Sequence, residues 1–163
     1  GEDGSAVKTT LGSNAQFMVI ADAPTASEER QDMMAFGDSF FPIQEALFES
    51  GLGRNDAYWT ALVKRPKAGK IMTAHEIETY APYLEREIEL LKPPIIVLMG
   101  SSVVRHFLPD FKGKASDAAG TIVFNAKLDA NLIIAFNPGE IHYAEEKQLE
   151  LNKAFQAAAS LLS

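Results

Sequence analysis

Short apolar runs recur along the chain and alternate with segments that have helical periodicity. The apolar and aromatic runs predict buried strands at residues 17–20, 57–63, 95–99, 121–124 and 132–136. Apolar residues at helical spacing predict helices over residues 40–50, 73–91, 100–108 and 144–162. This alternation favours parallel strands joined by right-handed crossovers. The predicted fold is therefore α/β, with three α/β/α layers around a central, mainly parallel four-stranded sheet and the 121–124 strand at an edge.

Local signals mark where the predicted elements begin and end. Thr73 and Glu76 have the spacing of a capping box, which begins the longest helix, and Gly51 is placed to close the first helix. The glutamates of the longest helix predict a solvated face. Residues 1–15 are small and polar, so we expect a flexible tail or linker before a domain over residues 16–163, excised from a longer protein.

Composition narrows the classes of protein. The chain has 163 residues with 47% hydrophobic and 23% charged, enough for one domain with a core, and its apolar runs stay short of the roughly 18 residues that cross a bilayer. The absence of cysteine excludes disulfides and thiolate metal sites. The three histidines lack metal-ligand spacing, so no metal or cofactor is expected. We expect a cytoplasmic protein without membrane contact.

Two strands break into proline-containing turns that each carry a polar side chain. The first turn contains Asp22, Ala23 and Pro24, and the second contains Asn137, Pro138 and Gly139. Ligands of parallel α/β sheets bind outside the carboxyl ends of the strands. The two turns therefore predict two walls of one site. The alternative is that the aspartate bonds its own turn and that Asn-Pro only begins a loop.

Several segments occur in an order that resembles the uracil-DNA glycosylase superfamily, in particular its thermophilic-type branch. These segments are residues 21–24, 36–37, 51–56, 58–66, 83–88, 92–100 and 137–139. The resemblance extends from about residue 17 to the C-terminus. It implies cleavage of an N-glycosidic bond after the base is flipped out of the DNA stack. The branch binds an iron–sulfur cluster through cysteines, so this chain is expected to be a cluster-free variant.

The resemblance implies catalytic roles for Asp22 and Asn137. Asp22 stands where the branch has a glutamate, and such a carboxylate orients water and stabilises positive charge on the sugar. Asn137 stands where much of the superfamily has histidine. Asparagine donates a hydrogen bond but supplies neither a proton nor a positive charge. Both residues depart from the family pattern, which predicts weakened or altered chemistry.

The resemblance also implies a set of base-binding positions. The branch reads uracil with an asparagine where this chain has Ala61, and alanine cannot bond a base, so uracil selectivity is expected to be lost. A stacking aromatic is expected near Phe36, for which core packing is the alternative. The loop after the second turn resembles the segment that presses into the duplex. The remaining predicted substrate-binding positions are Ala23, Pro24, Pro138, Gly139 and His142.

A basic run follows the predicted second strand. Lys64, Arg65 and Lys67 lie within an acidic protein of net charge −7, which is unsuited to coating nucleic acid by bulk charge. The run predicts a local clamp on DNA phosphates, with a solvated loop as the alternative. Ser101 and Ser102 begin a predicted helix, whose backbone N–H groups can hold a phosphate.

These features lead to two hypotheses about function. The first is a divergent superfamily domain that binds DNA or a flipped nucleobase, with weak, altered or lost N-glycosidic hydrolysis. The second is a non-catalytic interaction module within a larger replication or repair protein, whose partners are a protein or flanking domains.

Overall fold

The computed structural model describes residues 15–23, 40–64, 72–138 and 145–163. Within these residues five strands form one sheet in the order β2-β1-β3-β5-β4. The first four strands in this order are parallel, and β4 is antiparallel to β5. The strands are β1 (Phe17–Ala21), β2 (Ala57–Ala61), β3 (Ile95–Met99), β4 (Ile122–Asn125) and β5 (Ala130–Ala135).

The described part of the chain contains four α-helices that cover the sheet. They are α1 (Phe41–Glu49), α2 (Ala74–Leu91), α3 (Ser101–Phe107) and α4 (Glu145–Leu162). The predicted capping box is confirmed, because the Thr73 hydroxyl accepts the Glu76 N–H and the Glu76 carboxylate accepts the Thr73 N–H. Gly51 follows α1 with a φ of +72°, a conformation that glycine adopts without strain.

The helices lie on two faces of the sheet. Alternate residues of β2 point to opposite faces, and Tyr58 and Thr60 bond to Glu87 of α2. Trp59, on the opposite face, packs edge-to-face against Phe40, directly before α1. The α1 and α4 helices contact each other extensively, and the Gln148 amide donates to the Pro42 carbonyl. The predicted three-layer α/β/α architecture is confirmed.

The α3 helix lies on the same face as α2. Burial lowers the pKa of half-buried His106 in α3, and the Glu85 carboxylate of α2 opposes this shift because it favours the charged imidazole. Such a charge interaction requires the two helices to be close. The face opposite α1 and α4 is therefore covered by α2 and α3.

The sheet has one strand more than the predicted count of four. Every residue of β1, β2 and β3 is buried, whereas residues of β4 alternate between exposed and half-buried. Among the described strands β4 pairs with β5 alone, so it lies at the edge, where the sequence placed the 121–124 strand. A hairpin turn over residues 126–129 joins the two, which explains the antiparallel direction.

Some predicted boundaries shift or remain untested. The predicted strand over 57–63 ends at Ala61, because the chain bends at residues 62–64. The division into a tail over residues 1–15 and a domain over 16–163 stays a prediction, since residues 1–14 lie outside the described part. No helix in the described ranges has the length and apolar character required to span a bilayer.

Candidate functional site

The carboxyl ends of four strands form one edge of the sheet. The last residues of β2, β1, β3 and β5 are in register, as Ala61, Ala21, Met99 and Ala135. Neighbouring strands are separated by about 4.8 Å, so the ends of β1 and β5 lie about 10 Å apart with β3 between them. Asp22 directly follows β1, and Asn137 is the second residue after β5. The two residues therefore follow strand ends at the same edge.

Asp22 links the end of β1 to the start of α3. Its side chain is buried, with the residue only 2% exposed. The Oδ1 atom accepts a hydrogen bond of 3.0 Å from the backbone N–H of Val103, in the first turn of α3. A carboxylate at this position satisfies a helix-end donor and interacts favourably with the positive end of the helix dipole. Asp22 thus has the contacts of a helix cap supplied from another strand.

Gly100 makes this close approach possible. A Cβ atom at this position would lie 2.0 Å from Oδ2 of Asp22, far inside van der Waals contact. The φ of Gly100 is +146°, which side-chain-bearing residues rarely adopt. The sequence indicates Gly100 only as the start of the strand-to-helix turn with Ser101 and Ser102 that could hold a phosphate. Its role in admitting the Asp22 carboxylate was not predicted, although a glycine between a buried strand and a helix start was a signal for a close approach.

Some of the other predicted site residues lie in the part of the chain that the structure describes, and the rest lie outside it. Asn137 and Ala23 are half-buried, and Pro138 is buried. Pro24, Phe36, Gly139 and His142 lie outside the described residues, as do Arg65 and Lys67. Their predicted roles in binding base or DNA backbone stay predictions.

Ala61 is the last residue of β2 and is only 1% exposed. It pairs with Ala21 of β1 and, by strand alternation, is on the same face as Trp59. Its carbonyl oxygen accepts a 2.6 Å hydrogen bond from Lys64 Nζ. The methyl side chain offers no hydrogen bond to a ligand, as the sequence indicates.

Lys64 lies inside the protein, which corrects the prediction that it contacts DNA phosphates from an exposed loop. The residue is 6% exposed, and its ammonium donates to Thr60 Oγ1, the Ala61 carbonyl and Glu87 Oε1, each at 2.6 Å. Burial lowers the pKa of Lys64, while the Glu87 carboxylate acts in the opposite direction. Three internal acceptors hold the cation, so it is not presented to a phosphate.

Glu87 is the centre of this buried network between β2 and α2. Besides the Lys64 ammonium, its carboxylate accepts the Tyr58 hydroxyl at 2.6 Å and the Thr60 hydroxyl at 2.8 Å. The glutamate pattern of α2 predicted a solvated face, and for Glu87 that prediction is wrong. Tyr58 and Thr60 lie two residues apart and therefore on the same face of β2. This spacing of two polar side chains could have predicted a polar contact with a helix.

Ser101 and Ser102 form the first turn of α3 and are half-buried. The next N–H, that of Val103, is bonded to Asp22. An incoming phosphate would therefore approach a buried carboxylate, and like charges repel strongly where water is excluded. This arrangement weighs against a phosphate site at these serines. No cluster of potential metal ligands occurs among the residues that the structure describes.

The sequence model of the Uracil DNA glycosylase superfamily matches residues 9–160, nearly the whole chain. The chain belongs to the uracil-DNA glycosylase superfamily. The resemblance stated from the ordered segments is confirmed, and the three-layer fold agrees with it.

Similar proteins include glycosylases and a polymerase subunit. The Type-4 uracil-DNA glycosylase of Pyrobaculum aerophilum is 28% identical over 131 residues, which are 76% of this chain and 66% of that protein. The Type-4 uracil-DNA glycosylase of Saccharolobus solfataricus is 34% identical over 98 residues, 59% of this chain and 45% of that protein. The DNA polymerase III subunit alpha of Yersinia pestis is 24% identical over 159 residues, 96% of this chain but 13% of that protein. The chain thus matches only part of the length of each.

Three residues at the carboxyl edge of this uracil-DNA glycosylase superfamily domain differ in their polar groups and in their burial. The Asp22 carboxylate is buried against α3, the β2 position ends in the methyl group of Ala61, and a half-buried amide, Asn137, follows β5. Of these side chains, only Asn137 combines partial exposure with hydrogen-bonding atoms. The partly exposed residue of the three with a polar side chain is therefore an asparagine, whereas the carboxylate of Asp22 is withdrawn from solvent.

Proposed function

We propose that this domain binds DNA or a flipped nucleobase at the carboxyl edge, with weak, altered or lost hydrolysis of the N-glycosidic bond. The observation that carries the proposal is the burial of Asp22, whose Oδ1 accepts the Val103 N–H. A general base must come within hydrogen-bond reach of its water or substrate. A buried carboxylate that accepts an N–H from the first turn of a helix is poorly placed for that role.

The other departures from the family pattern support the same proposal. Ala61 provides no polar group for reading a base, and sites that lack such a bond lose selectivity by large factors. Asn137 can hold a carbonyl or phosphate oxygen, but it cannot donate a full positive charge or a proton. Binding is thus retained more readily than catalysis.

DNA is the proposed ligand because the chain belongs to the uracil-DNA glycosylase superfamily. Its relatives are also named as uracil-DNA glycosylases or as a DNA polymerase subunit. The net charge of −7 requires that attraction to DNA come from a local cluster rather than from the whole surface. Since Lys64 is internal, we propose that Arg65 and Lys67 are the backbone contacts of the basic run.

A second candidate is a non-catalytic module inside a larger replication polypeptide. The match to the DNA polymerase III subunit alpha favours it, because 96% of this chain aligns with 13% of that much longer protein. In this case the ligand is another part of the same polypeptide or a protein partner, and DNA binding is dispensable.

Excision assays on labelled oligonucleotides test the proposal. Single- and double-stranded substrates carry uracil, hypoxanthine or xanthine, and product is measured after alkaline cleavage on gels. We expect salt-sensitive binding with slow excision or none. If slow excision occurs, Asp22→Asn abolishes it, whereas Asp117→Asn, at an exposed aspartate, does not. Efficient uracil excision contradicts the proposal, and absence of both excision and DNA binding supports the second candidate.

The salt dependence of binding tests the basic run. The logarithm of the affinity falls with the logarithm of salt concentration by about 0.9 for each phosphate contact with duplex DNA. We expect Arg65→Ala with Lys67→Ala to reduce this slope by up to about 1.8. The matched control is Lys114→Ala with Lys127→Ala, which removes the same charge from exposed positions elsewhere. Equal slopes in the two double variants contradict the assignment.

A further inference from the structure

The α1 helix presents two exposed phenylalanines on one side. Phe41 is 64% exposed and Phe48 is 80% exposed. Residues seven positions apart lie on the same side of a helix, about 10 Å apart along its axis. Gln44 and Glu45 occupy the intervening i+3 and i+4 positions, so this side of α1 is a strip with an aromatic ring at each end and polar side chains in the middle. Ordinary surface apolar residues are instead scattered singly.

Concave surfaces flank this strip. One, of about 420 Å³, is lined on the α1 side by Leu47 and Phe48 and on the other side by Leu52 and Arg54. A second, of about 450 Å³, lies among Phe41, Phe48 and the acidic residues of α1. Gln44 and Phe48 border both, and Phe48 supplies the apolar contact area of this pair.

The charges on this side of α1 have one sign. Glu45 and Glu49 are exposed, α1 contains no basic residue, and neither carboxylate has an ion pair with another described residue. An occupant with basic residues next to its apolar ones complements this surface. A second copy of α1 would bring the same glutamates opposite each other, which is unfavourable.

We propose that this surface, defined by Phe41, Glu45, Phe48 and Glu49, docks a basic amphipathic helix from a partner polypeptide. Helices pack through residues at i, i+3 or i+4, and i+7 spacing, and here Phe41 and Phe48 occupy the first and last of these positions with Glu45 between them. Lysine or arginine residues flanking the partner's apolar stripe then face the two glutamates. The phenylalanines supply the contact area, and the carboxylates select the partner by charge.

The Phe48 end of the docking surface lies toward the edge of the sheet opposite the proposed DNA edge. Leu52 and Arg54, which border it, directly precede β2 and so lie near the amino end of that strand. Asp22, Ala61 and Asn137 follow the carboxyl ends of their strands. The Phe48 end of the surface is therefore directed away from the carboxyl edge, and the inference does not depend on the proposed function.

Synthetic helical peptides test the proposal. The probe is a fluorescent peptide of about 18 residues, roughly five turns, with leucines in one stripe flanked by lysines. Two further peptides have glutamate in place of lysine or the same composition in scrambled order. Binding to the full chain is followed by fluorescence anisotropy. We expect only the ordered lysine peptide to bind.

Variants on α1 and matched variants on α2 decide whether binding uses this surface. Phe48→Ala is expected to weaken binding by about tenfold or more. Leu90→Ala, at a 76% exposed leucine of α2, is expected to leave it unchanged. Glu45→Lys with Glu49→Lys is expected to transfer binding to the glutamate peptide, whereas Glu85→Lys with Glu89→Lys is not. Circular dichroism verifies that each variant is folded.

Three results overturn the proposal. The first is equal binding of the ordered and scrambled lysine peptides, which indicates attraction by net charge alone. The second is equal effects of Phe48→Ala and Leu90→Ala. The third is a dimer in analytical ultracentrifugation that dissociates in Phe48→Ala, which makes the occupant a second copy. DNA binding is measured in parallel and is expected to be the same in Phe48→Ala as in the unaltered chain.

Discussion

Because Gly100 has no side chain, Asp22 at the end of β1 can approach the start of α3 closely. The Asp22 carboxylate reaches the N–H of Val103 by passing over the α-carbon of Gly100. A negative charge at a helix start stabilises the helix by about 0.3–1 kcal/mol when exposed and up to about 2 kcal/mol when partly buried. The interaction thus depends on a backbone position that tolerates both a positive φ and the close oxygen atom.

We expect Gly100→Ala to reduce the free energy of unfolding by about 3 kcal/mol, measured by urea denaturation. The added Cβ would overlap Oδ2 of Asp22 at 2.0 Å and would also be strained at φ +146°. Gly113→Ala separates the two causes, because Gly113 has a φ of +98° with open space around its Cβ position. Equal losses in the two variants would show that the contact with Asp22 contributes nothing.

Lys64 and Glu87 form the second residue-scale feature with energetic consequences. Lys64→Met removes the hydrogen-bond donor that Thr60, the Ala61 carbonyl and Glu87 share, and a buried acceptor left without a bond costs about 1–3 kcal/mol. We therefore expect Lys64→Met to lower the free energy of unfolding by about 3 kcal/mol. Adding Glu87→Gln, which neutralises the second charge but keeps an acceptor for Tyr58 and Thr60, should recover part of that loss. A double variant with the summed loss of both single variants contradicts the pairing.

The pH dependence of stability follows from the same burial. Burial lowers the pKa of Lys64 from its usual 10.5, so the folded protein loses this proton at a lower pH than the unfolded chain. Between the lowered pKa and 10.5 the unfolded chain binds more protons, and the Lys64 contribution to the free energy of unfolding rises with pH. We expect the difference in stability between the unaltered chain and Lys64→Met to grow over this alkaline window, and a decrease would contradict the assignment.

At the scale of elements, the start of α2 is determined locally. Thr73 and Glu76 satisfy each other's backbone N–H groups, which are otherwise unbonded at a helix N-terminus. This reciprocal bonding depends on four consecutive residues and therefore could be predicted from the sequence. The end of β2 depends instead on Lys64, whose three acceptors come from β2 itself and from α2.

We expect Thr73→Ala to destabilise the protein by about 1 kcal/mol, measured by chemical denaturation. The hydroxyl that accepts the Glu76 N–H is lost, while the rest of the helix is unchanged. Thr79→Ala is the matched control, since that exposed hydroxyl only donates to the His75 carbonyl within the same helix. A loss at Thr79 as large as that at Thr73 would rule out the capping explanation.

At the scale of the whole molecule, the carboxyl edge combines residues from distant parts of the chain. Asp22, Ala61 and Asn137 follow or end three different strands of one parallel sheet. Under the proposed function, each of the three departs from the family chemistry in its own way. Replacing one of these residues by its family counterpart leaves the other two departures in place.

We therefore expect Ala61→Asn to leave uracil excision as slow as in the unaltered chain. The substitution also places a polar amide at a site that is 1% exposed, at a cost of about 1–3 kcal/mol if the amide finds no partner. Excision is measured on uracil-containing oligonucleotides, with stability measured alongside. A large gain in excision would show that Ala61 alone limits activity and that Asp22 can act as a catalytic carboxylate.

The strand order in the chain, the layered α/β/α fold and the helix start at Thr73 could be inferred from the sequence. Hydrophobic periodicity and capping act over a few neighbouring residues, so the chain carries these signals locally. The shared edge of Asp22 and Asn137 was also predictable, because parallel strands direct all their carboxyl ends one way. The Lys64 prediction failed because a basic run has the same sequence whether its first member points to solvent or to a buried glutamate.

The sequence by itself determined which segments are strands and helices and which polar residues follow the strand ends. Only the tertiary structure decided what those polar residues do. Asp22 meets Val103 across 81 positions of sequence, and Lys64 meets Glu87 across 23. Whether a charge is buried or solvated depends on the groups that packing brings beside it, and these lie beyond the reach of any local pattern.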